Sequence, residues 1–342
     1  MTGPALTLSV VIPMYNEEDV VGLLAARLRP VLDALPDAYE VVAVDDGSTD
    51  ATAAILSGIA RDWPQLRILR LRGNSGHQAA LLAGLFSCRG AYAVSIDADL
   101  QDPPEKIPEM LALAVDKGLD VVYGARDDRS TDTAFKRLTA GLYYRMMRRV
   151  VGRRMPNHAG DFRLLSRATI EALRALPERQ PVLRMIIPWL GFPSGEVTYA
   201  REARAAGSTK YPLRKMFLLA TDSITSFSAA PLRIATWLGV GGVVLCSVLA
   251  VIAIAAHFGG ATVSGWTSLY IAVLFLGAVQ LLCLGLLGEY IGRIFVTVQG
   301  RPMYFIGYDS LNAGQPMTPE QTLAAEPALV PAQRVPMAQQ TR

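Results

Sequence analysis

The residues best suited to chemistry in this chain are acidic and lie in short clusters. Asp97-Ala98-Asp99-Leu100-Gln101-Asp102 sets carboxylates one residue apart. Hard oxygens in that pattern suit a divalent cation such as Mg²⁺ or Mn²⁺, which keeps positions open for phosphate oxygens and steadies charge on a departing diphosphate. An Asp-x-Asp triplet also occurs in ordinary solvated loops, so it needs company. Pro13-Met14-Tyr15-Asn16-Glu17, Asp45-Asp46-Gly47-Ser48 and Gly124-Ala125-Arg126 supply it, because each follows a short apolar run.

Those apolar runs are the elements that must hold the clusters. Leu6–Ile12, Val41–Val44, Arg67–Leu71, Ala91–Ile96 and Asp120–Tyr123 read as strands. Helical patterns fall between them, at Glu17–Arg29, Gln78–Cys88 and Pro104–Val115. Ser48 or Thr49 is a candidate cap for the helix after the second strand. Strands alternating with helices predict an α/β fold with a mostly parallel sheet covered on both faces. In such a sheet, ligands sit outside the carboxyl ends of the strands, where all four clusters fall. Gly124 reads as a strand-end turn.

The composition adds a second part. Apolar residues make up 51% of the chain, and no Lys, Arg, Asp or Glu lies between Arg233 and Glu289. Ile234–Phe258 and Trp266–Gly288 are each long enough to cross about 30 Å of hydrocarbon as a helix. Arg233 before them and Arg293 and Arg301 after them predict that both ends lie in the cytoplasm. Leu213–Ser228 mixes basic and apolar residues like a helix lying in the membrane interface, and Tyr290–Gln299 is a second candidate. No secretory signal is read at the N-terminus. The net charge of +3 lacks the concentrated basic face that nucleic acid requires. Cys88, Cys246 and Cys283 are too scattered for a disulfide framework or a zinc site.

Three stretches together resemble the family 2 inverting glycosyltransferases. They are Val10-Val11-Ile12-Pro13-Met14-Tyr15-Asn16-Glu17-Glu18, Val44-Asp45-Asp46-Gly47-Ser48-Thr49-Asp50 and Asp97 to Pro104. Gly160-Asp161-Phe162-Arg163-Leu164-Leu165 and Gly207-Ser208-Thr209-Lys210-Tyr211 are similar to the polyprenyl-phosphate branch, which includes the dolichol-phosphate mannose synthases. The two C-terminal spans resemble its bacterial, GtrB-like members. The resemblance covers roughly Leu6 to Tyr308.

It implies a GT-A fold, Rossmann-like, followed by a two-helix transmembrane hairpin with interfacial helices. Residues 1–211 would form the cytoplasmic catalytic domain, 212–233 an interfacial helix and 234–289 the two spans. Residues 290–311 would be a cytoplasmic juxtamembrane segment, and 312–342 a disordered tail. Pro13, Tyr15, Glu17, Asp45 and Asp46 would hold the base and ribose, and Asp97 and Ala98 would line the nucleotide. Asp99 and Gln101 would ligate Mg²⁺ or Mn²⁺, with Asp99 also counted as catalytic. Arg126, Arg204 and Lys210 would contact phosphates. Asp161 would stand near the reacting sugar as an orienting or weak-base carboxylate.

The partners implied are a nucleotide sugar, UDP- or GDP-linked, a polyprenyl phosphate and the membrane. UDP-glucose is the favoured donor, and GDP-mannose and other UDP-sugars are the alternatives. A homo-oligomer is compatible with the glycines of the spans. A processive polysaccharide synthase would carry Gln-x-x-Arg-Trp, and Gln180–Met185 lacks the Trp. A non-catalytic membrane scaffold would be expected to lose the acidic positions, and all are present. His77 and His158 are assigned no role.

Overall fold

The computed structural model describes residues 7–126, 159–176, 181–200, 266–312 and scattered positions between 237 and 252. The chain divides into two units: residues 210–301 form the second, and the first takes in the residues on either side of it.

In the first unit, the N-terminal half alternates strand and helix. The order is β1 (Leu8–Met14), α1 (Val21–Asp33), β2 (Tyr39–Asp45), α2 (Thr52–Asp62), β3 (Leu66–Leu71), α3 (His77–Ser87) and β4 (Tyr92–Ser95). A single 3₁₀ turn at Pro104–Lys106 leads into α4 (Ile107–Lys117), and β5 (Val121–Arg126) follows. Then come β6 (Ala159–Ser166), α5 (Arg167–Arg174), α6 (Leu183–Leu190), β7 (Ser194–Tyr199) and β8 (Ile306–Asp309). The described strands form one sheet in the order β7-β5-β6-β4-β1-β2-β3-β8.

The sheet is mixed rather than wholly parallel. β1 pairs in parallel with β2 and β4, β2 with β3, and β5 with β7. β6 runs antiparallel between β4 and β5, and β8 runs antiparallel on the outside of β3. Both faces are covered, as the side-chain alternation of a strand demands. On β1, Leu8, Val10 and Ile12 join a core with Leu24, Leu28 and Leu32 of α1 and Met110 of α4. Val11 points the other way, at α3. A Cβ on Gly84 of α3 would stand 2.3 Å from Val11 Cγ1 and 2.9 Å from Val44 Cγ2, so glycine is what lets this helix lie close on the sheet.

Two local expectations change. Gly124 lies inside β5, not at a turn: its hydrogen leaves room for Phe162, whose Cδ1 would be 2.5 Å from an added Cβ. Neither Ser48 nor Thr49 caps α2, whose N-cap is Ala51. Those two residues are turned instead toward Asn16: Ser48 Oγ accepts from its amide, and Thr49 N donates to its side chain. Residues 290–311, expected as a cytoplasmic juxtamembrane segment, take in the end of a helix that runs to Gln299 and the strand β8.

In the second unit, α7 (Trp266–Gln299) runs unbroken for 34 residues, about 50 Å at 1.5 Å per residue. It takes in both the second expected span and the Tyr290–Gln299 stretch. Among the described residues it is the one helix long and apolar enough to cross a membrane, and the residues of its 275–299 stretch are not buried by protein. The 212–233 segment, most of the first expected span and residues 313–342 lie outside the described residues.

Beyond α7 the chain returns to the sheet. Arg67 of β3 grips Asp309 of β8 with two nitrogens, at 2.9 and 2.7 Å, and Ser310 Oγ accepts from the Ile68 amide.

Candidate active site

The sheet topology gathers the polar clusters on one edge. β1, β2, β4 and β5 all end there, at Met14, Asp45, Ser95 and Arg126. β6, running the opposite way, begins there. Its register pairs Ser95 with Arg163, so Asp161 lies just past the end of β4. Ser95 Oγ donates to the Asp161 carbonyl at 2.5 Å and fixes that junction.

On the β1–β2 side, the two loops are laced together. Asn16 takes a left-handed φ of 54°, which asparagine tolerates better than most residues. Its side chain accepts from Thr49 N, the Glu17 amide donates to Thr52 Oγ1, and Glu18 accepts from Ala51 N. Pro13 is buried in β1, while Tyr15 is 44% exposed and presents its ring at the edge. Asp45 is fully buried: it accepts from Ser48 N at 2.8 Å and faces Arg70 Nε at 3.1 Å. Asp46 has both oxygens engaged, by Ser75 N at 2.7 Å and Gly76 N at 2.8 Å. Burial pushes its carboxyl upward against the pull of those two amides. Asp46 therefore anchors the 73–76 loop. Gly47 makes the anchor possible, with φ 69° and only 2.8 Å between its would-be Cβ and Gly73.

The residue after that loop is His77, the first of α3. Its Nε2 stands 3.6 Å from Asp97 Oδ1 and 3.7 Å from Asp161 Oδ2. Arg184, in the first turn of α6, puts Nη2 3.6 Å from the same Asp161 oxygen. Arg163, fully buried, donates to the other oxygen, Oδ1. Five charged groups from four segments, α3, the loop after β4, β6 and α6, thus meet over the β4–β6 junction.

Their ionisation follows from these neighbours. Burial opposes the charge on Asp161, but His77, Arg163 and Arg184 outweigh it and hold its carboxyl well below the usual range. Burial drives Asp97 up to about 6; His77 restrains the shift, while Asp161, Asp102 and Asp99 add to it. His77 is raised above 6.5, first by its pairing with Asp161 and then, against burial, by Asp97. A carboxylate held as low as Asp161 is a poor proton acceptor at neutral pH. Of the two roles expected for it, orienting or weak-base, that environment favours the orienting one.

Asp99 and Gln101 occupy the loop beyond Asp97, both partly exposed, with Gln101 N donating to Asp99 Oδ1 at 3.2 Å. Leu100 between them takes a left-handed φ of 58°, and Ala98 is buried beneath the loop. Among the described residues no three His, Cys, Asp or Glu side chains converge as a ready metal cage. Hard oxygen donors in less than a full set fit an ion that shares its ligation with substrate phosphates, as Mg²⁺ commonly does. Arg126 ends β5 in register with Tyr199 of β7. Arg204 and Lys210 lie outside the described residues.

Sequence reasoning passed over His77, Arg163 and Arg184. One signal was available for Arg163: on a strand, residue i+2 shares a face with residue i, so Asp161 and Arg163 had to be neighbours. A single His after Gly76 and a single Arg within Gln180–Met185 carried no such spacing.

Comparison with known proteins adds to the geometry. Residues 9–174 match the model of glycosyl transferase family 2, and residues 230–294 match that of the GtrB C-terminal hairpin. The SfII prophage-derived bactoprenol glucosyl transferase of Shigella flexneri is 39% identical over 311 residues, which cover 88% of this chain and 97% of that protein. Two Bacillus subtilis proteins, the uncharacterized glycosyltransferases YkoT and YkcC, are 42% and 39% identical. Their matches cover 89% and 87% of this chain, and 92% of each relative.

Proposed function

This chain belongs to glycosyl transferase family 2, and from that membership we propose that it moves glucose from UDP-glucose to a polyprenyl phosphate at the cytoplasmic face of a membrane. As a member of that family the chain is a glycosyltransferase. The observation that carries the choice of acceptor is the match to a bactoprenol glucosyl transferase along nearly all of that relative's length, hairpin region included. The donor choice rests on the same relative. Two spans with basic residues at both ends favour a multi-pass anchor with the sheet domain inside the cell.

The acceptor phosphate is already an anion, so the reaction makes little demand on a base. Its difficult parts are aligning the acceptor oxygen with the anomeric carbon and neutralising the leaving diphosphate. That division suits the site. Tyr15, with Asp45 behind it, would face the nucleoside. Asp99 and Gln101 would hold Mg²⁺ or Mn²⁺, which when bound offsets charge on the leaving diphosphate. Asp161, pinned from both sides, would keep its neighbours aligned without exchanging a proton. Displacement would then be direct, with inversion at the sugar carbon and no covalent intermediate on the protein.

The test is transfer by the purified full-length protein. With undecaprenyl phosphate, Mg²⁺ and a panel of UDP- and GDP-sugars, the lipid product identified by mass should carry a hexose from UDP-glucose. A product from another donor would move the assignment to that sugar, and absence of any lipid product would end it.

A further inference from the structure

We infer that His77 and Arg184 form a phosphate-recognising pair that Asp161 holds in place, a role that rests on the sugar-transfer reading above and adds two residues to it. The pair stands on separate elements, the first turns of α3 and α6. Those turns are joined where the Leu183 amide donates to Gln78 Oε1 at 3.4 Å. His77 Nε2 and Arg184 Nη2 converge on one atom, Asp161 Oδ2, from 3.7 and 3.6 Å.

That carboxylate cannot balance both cations, because its other oxygen is already committed to the buried guanidinium of Arg163. Arg163 itself keeps Nε and Nη1 buried with no hydrogen-bond acceptor, which adds positive potential behind the pair. Asp97 offsets part of the charge on His77. Among the described residues, the acid that Arg184 pairs with is the shared Asp161.

Both side chains are 45% exposed, so each has a face open to a ligand. Two helix N-termini set side by side favour an anion as well, through their aligned dipoles. The substrates of sugar transfer to a lipid phosphate bring two kinds of phosphate here: the diphosphate of the donor and the monoester of the acceptor. Asp161 then acts as a positioning residue, keeping a flexible arginine and an imidazole ring at a fixed separation for either of them.

The experiment measures both sources separately with the full-length enzyme. Calorimetry gives the Kd for UDP, and initial rates at saturating donor give the KM for undecaprenyl phosphate. Arg184→Ala and His77→Gln should each raise one of these constants by about tenfold, the scale of a lost charged hydrogen bond, while kcat changes far less. Arg184→Lys should recover part of the loss. A rise in the lipid KM assigns the pair to the acceptor, and a rise in the UDP Kd assigns it to the donor.

If both constants stay within about twofold of wild type, the pair does not bind phosphate and the inference is overturned. Should either variant melt early, Arg184→Gln and His77→Asn carry the same measurement. If the wild type makes no lipid product, the function proposed above fails by itself. The pair is then judged on UDP and inorganic phosphate: weaker binding of either in Arg184→Ala supports it, and unchanged binding of both overturns it.

Discussion

Arg163 and Asp161 lie two residues apart on β6, share one face of the strand, and form an ion pair whose guanidinium is sealed from solvent. Everything else in the charged constellation is arranged around that pair. A charge buried as deeply as Arg163 is tolerated only with its partner in place.

Removing the partner's cation should therefore be costly. Arg163→Met is expected to destabilise the sheet domain by about 3 kcal/mol or more, since it strips Asp161 of its buried counter-ion. Chemical denaturation of the full-length protein in detergent, followed by fluorescence, measures this. A loss below about 1 kcal/mol would show that His77 and Arg184 alone suffice to hold the carboxylate.

The metal assignment is tested at Asp99. Asp99→Asn should lower transfer by roughly 10²-fold or more, with the melting temperature little changed, because Asp99 is partly exposed and packs no core. Chelation should abolish wild-type activity, and Mg²⁺ or Mn²⁺ should restore it. Full activity in the chelator would refute a metal held by Asp99 and Gln101.

His77 makes stability depend on pH with a definite sign. Its folded pKa is raised above 6.5, chiefly by pairing with Asp161, so the folded protein binds that proton more tightly than the unfolded chain. The stability it contributes is complete below 6.5 and is lost as pH rises through the raised value. His77→Gln should accordingly melt below the wild type on the acid side of 6.5, and the two curves should converge at alkaline pH. A gap that does not vary across that window would mean that the folded ring carries no extra proton.

The far edge of the sheet gives a fourth test. Asp309→Ala leaves Arg67, itself largely buried, without its carboxylate and loosens β8 from β3. The expected loss is about 3 kcal/mol. Hydrogen exchange should show the amides of β3 opening first. Protection of β3 equal to wild type would show that the β8 backbone ladder holds without the ion pair.

Packing under the site is tested at Gly84. Gly84→Ala must push α3 away from Val11 and Val44, at a cost of about 1–3 kcal/mol by thermal unfolding. The same displacement moves His77, so the pH dependence described above should weaken with it.

Much of this was legible in the residues because buried parallel strands are continuous apolar runs. β1 and β2, buried at every position, announce themselves that way. The acidic clusters were legible for the same reason, since they interrupt those runs at the same end. What escaped was set by pairing rather than by local pattern. β6 carries the same apolar signal whether it runs with its neighbours or against them, and only its register brings Asp161 to the edge. β8 is four residues long and finds its partner 242 positions earlier, through Arg67 and Asp309. His77 reads as any lone histidine until the Asp46 anchor sets the loop before it.

The return of β8 also sets an order for the making of this protein. β3 pairs on its outer side with a strand that lies beyond the whole uncharged stretch. During synthesis its amides and carbonyls have no partner there until residue 309 has left the ribosome, by which time the whole uncharged stretch has already been made. The sheet is thus finished last, and a chain interrupted within the hairpin would carry an open strand edge, a known template for aggregation. A completed edge certifies that the uncharged stretch before it has been made in full.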